Sequence, residues 1–227
     1  MAQHLQKEIG DLKKRILTLS ALVEESVKDA VRAVQTRDRR LAARIIDGDI
    51  AIDNMEVAIE EECLKLLALH QPVAIDLRFI ICVIKMNNEL ERIGDLAVNI
   101  AERASFLATR DPVDIPFDFP GMSEKTQEML RHSLDALVNL DADLARKVCA
   151  ADDEIDLINR DMYARVRDGI TARIEYIEIF IHLLAVSRHL ERIADHATNI
   201  AEDVIYMIEG EIVRHRPEEY TPEENGR

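Results

Sequence analysis

The sequence has no tryptophan, and its 227 residues include only three cysteines, six prolines and seven glycines. Aromatic residues make up 4%. Sheet proteins draw on aromatics for their strands and on glycine and proline for their many turns, so this scarcity argues against them and for long helices. Cys63, Cys82 and Cys149 are widely spaced in apolar stretches and form no Cys-x-x-Cys pair, which predicts buried free thiols in a reducing compartment. The longest uninterrupted apolar run, residues 79–84, falls far short of the roughly 20 residues a membrane helix needs. The first residues carry no apolar signal core. Positive charge is also short: 29 Lys and Arg against 44 Asp and Glu give a net charge of −15. Such a surface repels phosphate backbones and anionic membranes, so nucleic-acid binding and membrane insertion are not expected. These features predict a soluble, cytoplasmic protein. No GxxxxGK[ST], GxGxxG, GxSxG or Glu-x-x-His motif occurs, so the sequence makes no case for an enzyme.

Hydrophobic residues make up 48% of the chain, enough for a substantial core. Leu5, Ile9, Leu12, Ile16, Leu19 and Val23 step by three or four, as a buried helix stripe does. The prolines cluster at Pro72, at Pro112, Pro116 and Pro120, and at Pro217 and Pro222, leaving long proline-free stretches. Breaks near Thr36–Asp38, at Gln71-Pro72 and near Asn139–Asp141 divide these stretches into six helices. The Thr36–Asp38 break offers N-cap residues for the second helix, and Asn139 or Asp141 can cap the fifth. The expected helices end near Ala68, Leu107 and Val138, then near Val166 and Glu209. The fourth is expected to start near Ser123 and the sixth near Ile174.

The third and sixth helices repeat one another. Leu90-Glu-Arg-Ile-Gly-Asp-Leu-Ala-Val-Asn-Ile-Ala-Glu102 and Leu190-Glu-Arg-Ile-Ala-Asp-His-Ala-Thr-Asn-Ile-Ala-Glu202 share ten of thirteen residues at an offset of 100. The second and fifth align at 103, pairing Asp49, Ile52 and Asp53 with Asp152, Ile155 and Asp156. The change in offset predicts a shorter connection before the sixth helix. The chain therefore reads as all-α: two similar three-helix bundles from an internal duplication. The first bundle spans 1–110, a linker 111–121 and the second bundle 122–212. A tail over 213–227 is expected to lack fixed structure.

Helical geometry places the repeated acids on one face. With Glu91 at zero and about 100° per residue, Asp95 lies near +40° and Glu102 near +20°, while the apolar set centres near −120°. Asp49, Asp53, Glu56 and Glu60 share one face of the second helix. Asp152 and Asp156 do so on the fifth, where Asn159 and Tyr163 replace the two glutamates. Like charges four apart destabilise an isolated helix, so four such pairs call for a cause. One reading is a cation held between facing helices by oxygen ligands, which suits Mg²⁺, Ca²⁺, Mn²⁺ or iron. The other is a solvated acidic face balanced by Arg92 and Arg192. Gly94 reads as a point of close helix approach. His182, His189 and His196 recur every seven residues, away from the acids, and read as packing or interface residues.

The doubled Leu-Glu-Arg-Ile-Gly/Ala-Asp segment, with Met55-Glu-Val-Ala-Ile59, Gln71-Pro72 and Asp76-Leu-Arg78, resembles the PhoU family over roughly residues 4–212. The resemblance implies two three-helix bundles with metal ions (iron, zinc, magnesium or manganese) on acidic-x-x-x-acidic motifs. These map to Asp49 and Asp53, Glu91 and Asp95, Asp152 and Asp156, and Glu191 and Asp195. It further implies a non-enzymatic, commonly dimeric regulator. Such a protein restrains the Pst phosphate transporter through its ATPase and holds a phosphate-sensing histidine kinase in its signal-off state. A metal-dependent phosphohydrolase and a purely structural scaffold are the alternatives. The second copy lacks the Asp-Leu-Arg segment.

Overall fold

The computed structural model describes residues 2–113 and 119–210; the middle of the central linker, 114–118, and the whole tail over 213–227 lie outside these. Six helices follow one another: α1 (Ala2–Thr36), α2 (Arg39–His70), α3 (Ala74–Leu107), α4 (Phe119–Asn139), α5 (Ala142–Ala172) and α6 (Ile177–Glu209). A 3₁₀ turn, Ile174–Tyr176, precedes α6. Helices α1–α3 form one bundle and α4–α6 the other, as the duplication predicts.

Each bundle begins in the same way. The chain leaves α1 through Arg37 (φ 55°) and α4 through Leu140 (φ 53°), equivalent positions that both enter the left-handed region. The next residue, Asp38 or Asp141, caps the following helix. Asp38 Oδ1 accepts from the amides of Arg40 and Leu41, and Asp141 Oδ1 from that of Leu144. The caps satisfy amides that a helix start leaves without partners.

The core follows the predicted stripes. Leu12, Ile16, Leu19 and Val23 are buried, as are Leu90, Ile93, Ala97, Ile100 and Ala101 and their counterparts in α6. The three cysteines are buried and free. The copies also trade volume: Leu66 and Ile80 fill the first core where Gly169 and Phe180 stand in the second. A Cβ on Gly169 would lie 3.0–3.4 Å from the Phe180 ring, so the glycine makes room for that ring.

Two helix ends differ from the sequence expectation. Helix α4 begins at Phe119, inside the stretch read as linker, because Pro120 sits in its first turn, where proline costs no hydrogen bond. Helix α5 runs past Val166 to Ala172, because Gly169 serves packing and does not end the helix. The connection before α6 is not shorter than its counterpart: Arg173 and the 3₁₀ turn make four residues where the first bundle has three, 71–73, and the offset changes because α6 begins three residues later than α3 relative to their shared segment.

The two bundles join along α3 and α6, which run antiparallel and pack as extensively as helices within a bundle. The seam repeats every seven residues. Cys82 Sγ lies 3.5 Å from the Asp203 carbonyl oxygen, and Glu89 Oε2 lies 2.6 Å from His196 Nδ1. Lys85 Nζ reaches the buried Asp203 carboxylate at 3.0 Å and sits over the Tyr206 ring. His182 stacks on Phe106 at 3.7 Å between ring centroids. The histidine heptad thus lines the bundle–bundle interface.

Candidate metal centre

In the first bundle α2 and α3 meet closely at Gly94. A Cβ there would stand 3.2 Å from Ile52 Cγ2 and 3.4 Å from Asp49 Oδ1. The small residue lets α2 carry its acids up to those of α3. Burial pushes the Asp49 carboxyl up to about 6, with Asp53 and then Asp95 adding to the rise. Glu91 is raised by burial, then by Asp95 and by Glu56 and Asp53 across the groove. Acids from two helices therefore share one field, which opposes their ionisation.

The second bundle repeats this arrangement. Burial raises Asp152 to about 6, followed by Asp195 and Asp156, against a hydrogen bond from Thr198. Glu191 is raised by burial and then Asp156, and Asp195 by burial and then Glu191. Asp156 also receives Arg160 at 3.4 Å.

All eight sequence-predicted acids thus lie on two facing pairs of helix faces. Among the described residues, no three His, Cys, Asp or Glu side chains converge on a single point closely enough to hold one ion. The donor set is all oxygen and partly shielded from water, a chemistry that fits a hard or borderline cation. The residues that would hold it are Asp49, Asp53, Glu91 and Asp95 in one bundle, and Asp152, Asp156, Glu191 and Asp195 in the other.

Glu56 belongs to the same face. It is raised by burial and then by Glu60 and Asp53. Asn87, 1% exposed, donates to its carbonyl at 2.9 Å and its carboxylate at 3.3 Å. The second copy keeps this cross-helix contact with other residues, as Ser187 donates to Asn159 at 2.6 Å. The signal for it was a polar residue, Asn87 or Ser187, within an otherwise apolar stripe. The histidines lie along the bundle–bundle seam, with His196 acting on Asp195 through space. Burial and then Arg103, Arg192 and Arg188 push His189 down to about 4.

The Asp-Leu-Arg segment touches both bundles. Asp76 accepts from Gln6, and the Arg78 guanidinium lies against Gly210, whose φ of 80° closes α6. Among the described residues, no helix is long and apolar enough to cross a membrane.

A family model described as "PhoU domain" matches residues 16–104 and again 119–204, one match per bundle. The phosphate-specific transport system accessory protein PhoU homolog of Aquifex aeolicus is 40% identical over 93% of this chain and 96% of its own. The homolog from Pseudomonas aeruginosa is 37% identical over 95% and 89%. The crystal structure of PhoU from P. aeruginosa superposes with a TM-score of 0.87 at 36% identity, covering 91% of this chain and 99% of that one. PhoU from Streptococcus pneumoniae gives 0.82 at 31%, covering 92% and 99%. With both halves matched and relatives aligned almost end to end, the chain belongs to the PhoU family.

Proposed function

We propose that the protein is a non-enzymatic regulator of phosphate uptake and phosphate-starvation signalling, acting in the cytoplasm. It restrains a Pst-type transporter through the transporter's ATPase and keeps a phosphate-sensing histidine kinase in its signal-off state. The supporting observation is a family match over both bundles, with relatives named as accessory proteins of phosphate-specific transport systems. Physical features agree with an adaptor. Two bundles packed along a polar and apolar seam present long helical faces for docking, and a homodimer would double them.

Within this reading each bundle holds a cation on its acidic-x-x-x-acidic faces. A bound ion would neutralise carboxylates that now oppose one another and turn an acidic patch into one that accepts anionic partners. Deletion of the gene tests the function. Phosphate-starvation genes are expected to be expressed in phosphate-rich medium, with repression restored by the wild-type gene. Normal repression in the deletion strain would refute the proposal.

A further inference from the structure

The second bundle carries a basic groove at a place where the first copy has acidic and neutral residues. Tyr163 of α5 and Ile181, Leu184, Arg188, His189 and Arg192 of α6 line an open groove of ≈ 370 Å³. Arg188 and Arg192 are one helical turn apart on one face, close enough for both guanidiniums to reach one ligand. Both act on the Glu191 carboxyl through space. Yet among the described residues neither guanidinium has a carboxylate partner within ion-pair distance. The His189 ring sits in the field of three guanidiniums, Arg103, Arg188 and Arg192, and its Nδ1 is buried without a hydrogen-bond partner. The Arg103 Nε is likewise buried without one.

Duplication supplies an internal control. The equivalent positions in the first copy are Glu60, Asn88, Glu89 and Arg92, so one arginine there faces two glutamates. Basic character at this place is confined to the second copy, in a chain whose net charge is −15. Two arginines on one helical face without acid partners create a positive local potential that attracts an anion. Guanidinium forks match tetrahedral oxyanions, and a phenol hydroxyl adds a neutral donor. The groove is short and floored by aliphatic side chains, which suits a compact ligand more than an extended acidic peptide.

We propose that the α5–α6 groove between Tyr163, Arg188, His189 and Arg192 binds a tetrahedral oxyanion of the phosphate class, either free or as a monoester on a larger ligand. The assignment goes beyond the regulatory role argued above and stands on the groove alone.

Calorimetric titration of the full chain with inorganic phosphate, in low-ionic-strength chloride buffer, tests it. Saturable binding near one per chain is expected. The double variant Arg188→Gln/Arg192→Gln is expected to weaken it by about tenfold or more. Arg92→Gln, the equivalent in the first bundle, is expected to leave it unchanged. Metal content is measured on every sample, so a loss of binding without a loss of metal isolates the groove. Phosphoserine competing better than phosphate would assign the site to a phosphorylated ligand, and the reverse to the free ion. Absence of saturable binding, equal affinity in the double variant, or free glutamate competing as well as phosphate would each overturn the proposal.

Discussion

Burial, Asp53 and Asp95 together push the Asp49 carboxyl up to about 6, well above the usual aspartate range. Between pH 6 and about 4 the folded chain binds a proton that the unfolded chain has released, so stability rises as pH falls through that window. Asn at this position removes the effect. In metal-free buffer Asp49→Asn is expected to be more stable than wild type at pH 7.5, by about 1 kcal/mol after allowance for solvent screening. That corresponds to about 2–4 °C in Tm, and the gain should vanish near pH 4.5. Thermal unfolding at the two pH values checks this, and an equal gain at both would contradict it. The two buried-side glycines give a contrasting pair. Gly169→Ala drives a methyl into a rigid ring at 3.0 Å and should lose about 1 kcal/mol or more, even after the gain in helix propensity. Gly94→Ala meets the Cγ2 and Cδ1 methyls of Ile52 at 3.2 and 3.3 Å, and the second copy carries Ala194 and Ile155 at the equivalent positions. It should stay within about 1 kcal/mol of wild type in urea unfolding.

At the scale of the helices, the seam between α3 and α6 rests on a few polar links. The Glu89 carboxylate takes both His196 and Asn199, and these bonds hold it below the usual glutamate range despite burial. Glu89→Ala leaves the buried His196 and the half-buried Asn199 without their acceptor and should cost about 2 kcal/mol in chemical denaturation. Metal content should be unchanged, since Glu89 stands apart from both acidic faces. Six helices, their caps and their pairing into bundles were legible because period, proline spacing and duplication all point the same way. Helix ends at Phe119 and Ala172 were not. Pro120 lies in the stretch read as linker and Gly169 is a poor helix former, and only the first-turn position of one and the Phe180 ring beside the other account for the longer helices. The acids could be placed on one face from spacing alone. Their approach across the groove, and the entry of Glu56 through Asn87, depend on how closely α2 packs on α3, which a single helix does not encode. The histidine heptad announced an interface, while its partners in Cys82, Glu89 and Phe106 required the antiparallel pairing of α3 with α6.

For the whole molecule, the account rests on twin faces, each presenting acids of two helices to a shared cation. Elemental analysis of the full chain, purified without chelators, tests this most directly when wild type is compared with Glu91→Ala/Asp95→Ala and Glu191→Ala/Asp195→Ala. Wild type is expected to carry metal at both bundles. Each double variant should lose the share of its own bundle, about half of the total, and keep the other. Wild-type protein without metal, or variants with undiminished content, would contradict the account and leave the acidic faces as solvated surface.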